Sequence, residues 1–249
     1  MRKIVVALSK GGVGKTTTAI NLAAGLARGG CRVLLVDMDT QGQVAKALGL
    51  VPQAGLAEVL TGELAPDGAV SEAREGLWLL AGGRSLAGLK RDIARKDFGG
   101  ERSLAEALAP LDGQYDQVIV DTAPAWDVLM VNGLFYADEV LIPVALEVMA
   151  LQGLVDFAQS LGPIQKYHQN LALRYVLPTF MDRRVKKSEE IYGQLERHYA
   201  GLICEPIRYN VRLSEAPGYG QTIYEYSPTS AGAQDYLKLT ERVLLDGQS

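Results

Sequence analysis

Ser9-Lys10-Gly11-Gly12-Val13-Gly14-Lys15-Thr16-Thr17 is the stretch that decides the fold. The apolar run Ile4-Val5-Val6-Ala7-Leu8 precedes it, and a helix-like run from Thr16 to about Arg28 follows it. Strand, glycine-rich turn and helix, in that order, are the setting of a phosphate-binding loop. Gly11, Gly12 and Gly14 let the backbone turn tightly, so that successive N–H groups point into one anion-sized concavity. The helix N-terminus behind the loop adds partial positive charge. Lys15 sets an ammonium on the outer phosphates of a nucleotide, and the Thr16 hydroxyl can ligate Mg²⁺. The nucleotide-contacting stretch is thus Lys10 to Thr17, with Val13 inside it. One position is unusual. Ser9 stands where such loops carry their first glycine, and Lys10 enters beside it. An ammonium on that side of the loop cannot easily curl back onto its own nucleotide, but it can reach one held by a second subunit.

Outward from this loop the chain alternates. Strands are predicted at Lys3–Leu8, Arg32–Asp37, Leu77–Ala81, Gln117–Asp121, Glu139–Val144 and Leu173–Pro178, with a short one near Cys204–Arg208. Helices are predicted at Thr16–Arg28, Val44–Leu48, Leu56–Leu60, Leu86–Arg95, Ser103–Ala109, Val128–Tyr136, Leu151–Tyr167, Val185–Tyr199 and Ala233–Leu245. Several strands are unbroken apolar runs, as strands covered on both faces are. The alternation implies an α/β fold: a single domain over residues 1–249 with a mostly parallel, doubly wound sheet. Ligands of such sheets sit at the carboxyl ends of the strands.

That rim also receives carboxylates. Asp37-Met38-Asp39-Thr40-Gln41 closes the second strand, and Val118-Ile119-Val120-Asp121-Thr122-Ala123-Pro124 closes a later one. Asp39 or Thr40 would also serve as a helix N-cap. Read as chemistry, one carboxylate of the first pair holds the hydration shell of Mg²⁺ and the other polarises a water in line with a γ-phosphorus. Asp121, at the end of an apolar strand beside a phosphate loop, contacts the same metal through water. Trp126, Leu129 and Met130 follow, and the sequence leaves open whether they are core or part of a dimer face.

The bounds are those of an ordinary globular chain: 249 residues, 48% hydrophobic and 22% charged. A net charge of -4 excludes a chain that is basic all over, but not a local basic patch. Residues 165–212 hold such a patch, with nine Lys+Arg against five Asp+Glu. Arg183, Arg184, Lys186 and Lys187 crowd a predicted helix start, where they oppose the helix dipole. A solvated charged face is one reading; contact with a phosphate backbone, which carries no base information, is the other. Two cysteines, Cys31 and Cys204, are too few for a disulfide framework. No run of apolar residues is long enough to cross a bilayer, and the last helix lacks the basic face of a membrane-surface helix.

Lys10-Gly11-Gly12-Val13-Gly14-Lys15-Thr16-Thr17 resembles the deviant Walker A box of the ParA/MinD group of P-loop ATPases. The Asp37–Gln41 segment resembles that group's switch I, with Thr40 at a position where Pro is usual. Ile207-Arg208-Tyr209-Asn210-Val211-Arg212-Leu213-Ser214-Glu215-Ala216-Pro217 resembles a C-terminal run of the ParA/Soj branch. The resemblance covers Lys3 to about Leu239. It implies ATP and Mg²⁺ as ligands and catalytic roles for Lys10, Lys15 and Asp39, with Asp39 activating water. Thr16, Asp37 and Asp121 would serve the metal, and Arg208 and Asn210 would lie by the nucleotide base. It further implies an ATP-sandwich homodimer in which each Lys10 touches the partner's nucleotide, and nonspecific binding of double-stranded DNA through the basic segment, partly through Arg184, with Arg208 or Arg212 as substitutes for the arginine that Tyr209 replaces. A ParB-like activator and a cytoplasmic, nucleoid-associated location follow by the same analogy. Two departures stand out: Arg208 replaces a Pro, and Tyr209 replaces an arginine that contacts DNA. The chain is expected to lack a helix-turn-helix domain before its first strand, a signal peptide, and any membrane target of the MinD kind. The alternative is a small-molecule kinase or amide-forming synthetase of related fold. Such an enzyme needs an acceptor pocket with placed polar groups and gives Lys10 no role. An electron donor of the NifH kind would need cluster-ligating cysteines that two scattered thiols do not supply.

Overall fold

The runs Val33–Asp37 and Gln117–Asp121 are buried at every residue, as unbroken apolar strands must be when both faces are covered. The structure, a computed structural model, describes residues 1–96, 99–182 and 184–247. In chain order the elements are β1 (Arg2–Val6), α1 (Lys15–Arg28), β2 (Val33–Asp37), α2 (Gln43–Ala47), α3 (Leu56–Leu60), α4 (Pro66–Ala69), β3 (Val70–Arg74), β4 (Leu77–Leu80), α5 (Leu86–Ala94) and α6 (Ser103–Leu108). Then come β5 (Gln117–Asp121), α7 (Val128–Tyr136), β6 (Glu139–Ala145), α8 (Val148–Tyr167), β7 (Ala172–Thr179), α9 (Lys186–His198), α10 (Val211–Glu215), α11 (Ile223–Tyr226) and α12 (Ala231–Asp246).

The seven strands form one sheet in the order β3-β4-β2-β5-β1-β6-β7. All pairs are parallel except β3 with β4. One face is covered by α3 and α5 to α9, through residues such as Leu56, Ile93, Leu134, Phe157 and Leu195. The other face is covered by α1, α2, α11 and α12, through Leu22, Leu26, Val44, Ile223 and Tyr236. This is the doubly wound α/β arrangement that the alternation implies, and its loops converge at the carboxyl ends of the central strands.

Several details differ from the sequence reading, among them the short helices α4, α10 and α11, which it does not predict. β3 is an added edge strand; its half-exposed residues give it no apolar run to recognise. The stretch Cys204–Arg208 is no strand. Ile203, just before it, bridges Val176, and Arg208, at its end, bridges Met181; Pro206 between them has no N–H for a continuous ladder. The eighth helix begins at Val148 rather than Leu151 and runs on through Pro163.

Candidate nucleotide-binding site

The register of the sheet builds the site. β2 and β5 pair so that Asp37 lies opposite Asp121, and β1 and β5 pair so that Val6 lies opposite Asp121. The two carboxylates therefore end neighbouring strands, next to the strand that feeds the phosphate loop. The loop itself turns through Gly12 (φ 72°) and Gly14 (φ 87°), backbone angles that a side chain would strain. Gly14 caps α1 without any side-chain hydrogen bond, and no acidic residue occupies the first turn. The first N–H groups of the helix are thus left for an anion.

Lys15 is 6% exposed. Its Nζ donates to the Lys10 carbonyl at 2.7 Å, which bends the side chain back over the loop. Burial lowers the Lys15 pKa, while Asp121 and Asp39 act against that shift. The Thr179 hydroxyl donates to the Val13 carbonyl at 3.0 Å and pins the loop to the end of β7. The Thr122 hydroxyl donates to the Val6 carbonyl at 2.9 Å and pins β5 to β1.

Asp37 is fully buried, and its oxygens accept the N–H groups of Asp39 (2.8 Å) and Val44 (3.3 Å). Burial pushes its carboxyl up to about 6. Asp121 is fully buried as well, and neither of its oxygens has a hydrogen-bond partner. Burial, and then the neighbouring Asp37, push its carboxyl well above the usual range; Thr16 and Lys15 oppose this. Two buried carboxylates side by side, one of them unpaired, cost free energy unless a cation joins them. Mg²⁺ typically takes one or two carboxylates plus phosphate oxygens and water, and the pair with the Thr16 hydroxyl fits that donor set. Among the described residues, no group of three or more His, Cys, Asp or Glu could hold a metal without such help. Asp39 is partly exposed, and its Oδ1 accepts the Gln41 N–H at 3.0 Å.

A cleft of about 240 Å³ runs along Gly11–Thr17 and is closed by Asp39, Thr122 and Pro124. A second pocket of about 240 Å³ shares Gly14 and Thr17 with it and continues to Phe180, Tyr209 and Asn210. Together they form a trough with a phosphate end and an aromatic, amide-lined end. Asn210 Oδ1 caps α10 by accepting the Arg212 N–H, which leaves the amide Nδ2 for a ligand. Arg208 lines the wall, but its guanidinium is turned to α12, where it forks onto Asp235 with contacts of 3.0 and 2.6 Å. Phe180 has a positive φ of 57°, alone among the described non-glycine residues. Such strain gathers at ligand sites.

The remaining sequence candidates lie outside the trough. Lys10 Nζ stands 3.7 Å from Glu147 Oε2, a loose pair with an exposed carboxylate. Arg183 lies outside the described residues. Arg184 forks onto Asp182 at 2.9 and 2.7 Å and holds that carboxyl down to about 2. Arg212 pairs with Glu215 at 2.8 Å. Lys186 and Lys187 are exposed on the first turn of α9 and pair with no carboxylate among the described residues. Leu129 and Met130 are core, 1% exposed each, whereas Trp126 is 41% exposed and sets its ring edge-on to Phe157.

Four contributors went unread in the sequence: Thr179, Phe180, Gly82 and Asp127. Gly82 packs so closely on the Asp37–Asp39 turn that a Cβ would stand 2.6 Å from the Asp37 carbonyl oxygen; the Gly82-Gly83 pair directly after a strand was the available signal. Asp127 caps α7 through Leu129 and Met130, and an acidic residue before an apolar helix start is a readable cap.

Known proteins share this arrangement. A family model described as an AAA domain matches residues 1–174. The chromosome-partitioning ATPase Soj of Thermus thermophilus is 39% identical over 246 residues, 98% of this chain and 96% of that protein. The chromosome partitioning protein ParA of Caulobacter vibrioides is 36% identical over 256 residues, 98% and 94% of the two chains. A crystal structure from Mycobacterium smegmatis, named cobyrinic acid a,c-diamide synthase and holding an ATP analog and magnesium, superposes with a TM-score of 0.86. That match has 33% identity and covers 100% of this chain and 96% of that one. No helix among the described residues is long and apolar enough to cross a membrane.

Proposed function

The chain belongs to the Soj/ParA family of partitioning ATPases, and on that premise we propose that ATP joins two copies of it into a dimer that holds duplex DNA without reading its sequence. The observation that carries this reading is the buried pair Asp37 and Asp121 beside the phosphate loop, with both Asp121 oxygens unpaired. Residues 1–249 act as one ATPase unit. The loop N–H groups and Lys15 bind the β- and γ-phosphates, and the base enters the pocket by Asn210 and Phe180. Thr16, Asp37 and Asp121 would hold Mg²⁺, which would supply positive charge beside the transferring phosphoryl group. Asp39 accepts a hydrogen bond from a water aligned with the γ-phosphorus. The water oxygen bonds to phosphorus as the bond to the bridging oxygen breaks, giving ADP and inorganic phosphate. Lys10 turns from Glu147 to the partner's nucleotide and so makes assembly depend on ATP.

Lys186 and Lys187 of both protomers then face a phosphate backbone, and Arg183, Arg184 and Arg212 add their charge to the contact. This places the chain on the nucleoid. A ParB-like partner speeds hydrolysis, after which the dimer parts and leaves the DNA; the result is movement or spacing of a chromosome origin, plasmid or other cargo. The name of the M. smegmatis protein raises amide synthesis as the competing outcome.

The test is binding to two unrelated duplexes with Mg-ATP and with Mg-ADP, beside sedimentation and phosphate release. We expect ATP-dependent dimers, equal affinity for both duplexes, and phosphate release with water as the sole acceptor. Lys186→Glu with Lys187→Glu should lose DNA and keep the dimer. Binding that ignores the nucleotide, or turnover only when an amide donor and acid are added, would overturn the reading.

A further inference from the structure

The segment from Gly82 to Lys90 touches both carboxylate loops of the site. At its start Gly82 packs on the Asp37–Asp39 turn and leaves no room for a Cβ, which would lie 2.7 Å from the Asp39 carbonyl oxygen and 2.9 Å from the Asp37 carboxyl carbon. At its end, on α5, Lys90 Nζ donates to Asp127 Oδ2 at 2.6 Å. The other oxygen of Asp127 accepts the N–H groups of Leu129 (3.0 Å) and Met130 (3.1 Å) and caps α7. The loop that this cap terminates begins at Asp121 and passes Pro124, which lies against Gly11 of the phosphate loop. The pair is largely shielded, with side chains 28% and 23% exposed, so water screens it less than a surface pair. Lys90 differs in this from its neighbours Arg84, Arg91 and Arg95, which are exposed and pair with no carboxylate among the described residues.

We propose that Lys90 is a positioning residue for ATP hydrolysis. Through Asp127 it fixes the loop carrying Asp121 and Pro124, while the start of the same segment fixes the loop carrying Asp37 and Asp39. One short strut thus sets the spacing between Asp121 and the turn that carries Asp37 and Asp39. Lys90 itself touches neither nucleotide nor water. The inference rests on the roles given above to Asp37, Asp39 and Asp121.

Four variants test it: Lys90→Met, Lys90→Arg, Asp127→Ser, and the double Lys90→Met/Asp127→Ser. Serine keeps the helix cap and removes the carboxylate that Lys90 holds. Misplacing a catalytic loop by a fraction of an ångström lowers kcat about tenfold, with KM for ATP changed by less than about twofold. We expect that split for Lys90→Met and for Asp127→Ser, no further loss in the double variant, and recovery in Lys90→Arg. Thermal melting recorded beside each rate identifies any variant that does not fold; the arginine and serine variants keep the test open should Lys90→Met fail to do so. A wild-type kcat in Lys90→Met, losses that multiply in the double variant, or kcat and KM changing together would each overturn the proposal. Asp39→Ala, run in the same assay, separates the two levels. If it hydrolyses ATP at the wild-type rate, the roles assigned to the site fall and this inference with them; if it is inactive while Lys90→Met is normal, this inference alone falls.

Discussion

Charge is treated in opposite ways at the two places where this chain is read as meeting phosphate. At the rim of β1, β2 and β5 the charged groups are buried and incompletely paired: Lys15 is 6% exposed, and Asp121 has no partner for either oxygen. Along 184–212 they lie at the surface, and the arginines Arg184, Arg208 and Arg212 are matched within the chain by Asp182, Asp235 and Glu215, while Lys186 and Lys187 are not matched among the described residues. An unpaired buried carboxylate destabilises the ligand-free fold, so the rim is organised for something it does not itself contain. An exposed arginine already forked onto a carboxylate has to give up that pairing before it can bind a phosphate. The rim is therefore a demanding site, and the basic segment a tunable one.

The largest test of this contrast is Lys15→Ala against Lys187→Glu. Lys15→Ala should show no nucleotide binding by calorimetry, while Lys187→Glu should bind ATP as wild type does. Equal loss in both would erase the distinction. Next in size is Asp39→Ala, which should bind ATP yet release phosphate about 100-fold more slowly, since the water it orients matters in the transition state. Normal turnover would remove Asp39 from the mechanism.

A smaller effect concerns stability. Asp37 has a folded-state pKa of about 6 against 3.8 for the ordinary group. The folded protein thus binds more protons than the unfolded one between roughly those values, and the ionised carboxylate penalises folding above them. Asp37→Asn should raise the melting temperature of the metal-free protein at pH 7.5, and the advantage should shrink as pH falls from about 6 towards 4. An advantage independent of pH would mean that packing, not charge, is responsible. The smallest effect is the salt dependence of DNA binding. With Lys186 and Lys187 alone in contact, a dimer makes about four phosphate contacts and the log–log slope is near -3.6. If Arg184 and Arg212 abandon their carboxylates, about eight contacts give a slope near -7. Filter binding across a salt series decides between them.

What could be read in the sequence follows the same division. The glycines, Lys15, Asp37 and Asp121 were legible because each ends or follows an apolar run, and a local pattern suffices to place it on a rim. The pairing of Asp37 with Asp121 was not, since it depends on the register of strands far apart in the chain. The basic segment was legible as a count of charges over 165–212, but that count includes Asp182 without revealing its partner and leaves out Glu215 and Asp235, which occupy Arg212 and Arg208 from beyond the segment. Lys90 gave no signal, because its partner Asp127 lies 37 residues away. β3 was missed because strand patterning weakens at a half-exposed edge, and Cys204–Arg208 was over-read because an apolar run was weighed above Pro206.

The position of β1 has a consequence for synthesis. This strand is made first, yet its two neighbours in the sheet are β5 and β6, which begin at Gln117 and Glu139. The clasp from Thr179 to Val13 comes later still. A ribosome emits the chain in order, and early elements wait for distant partners before they settle. The nucleotide loop is thus the first landmark translated and among the last completed, so a nascent chain cannot hold ATP until nearly three-quarters of it has emerged. ATP retention on stalled chains of increasing length should therefore appear abruptly, once the residues around Thr179 have cleared the exit tunnel.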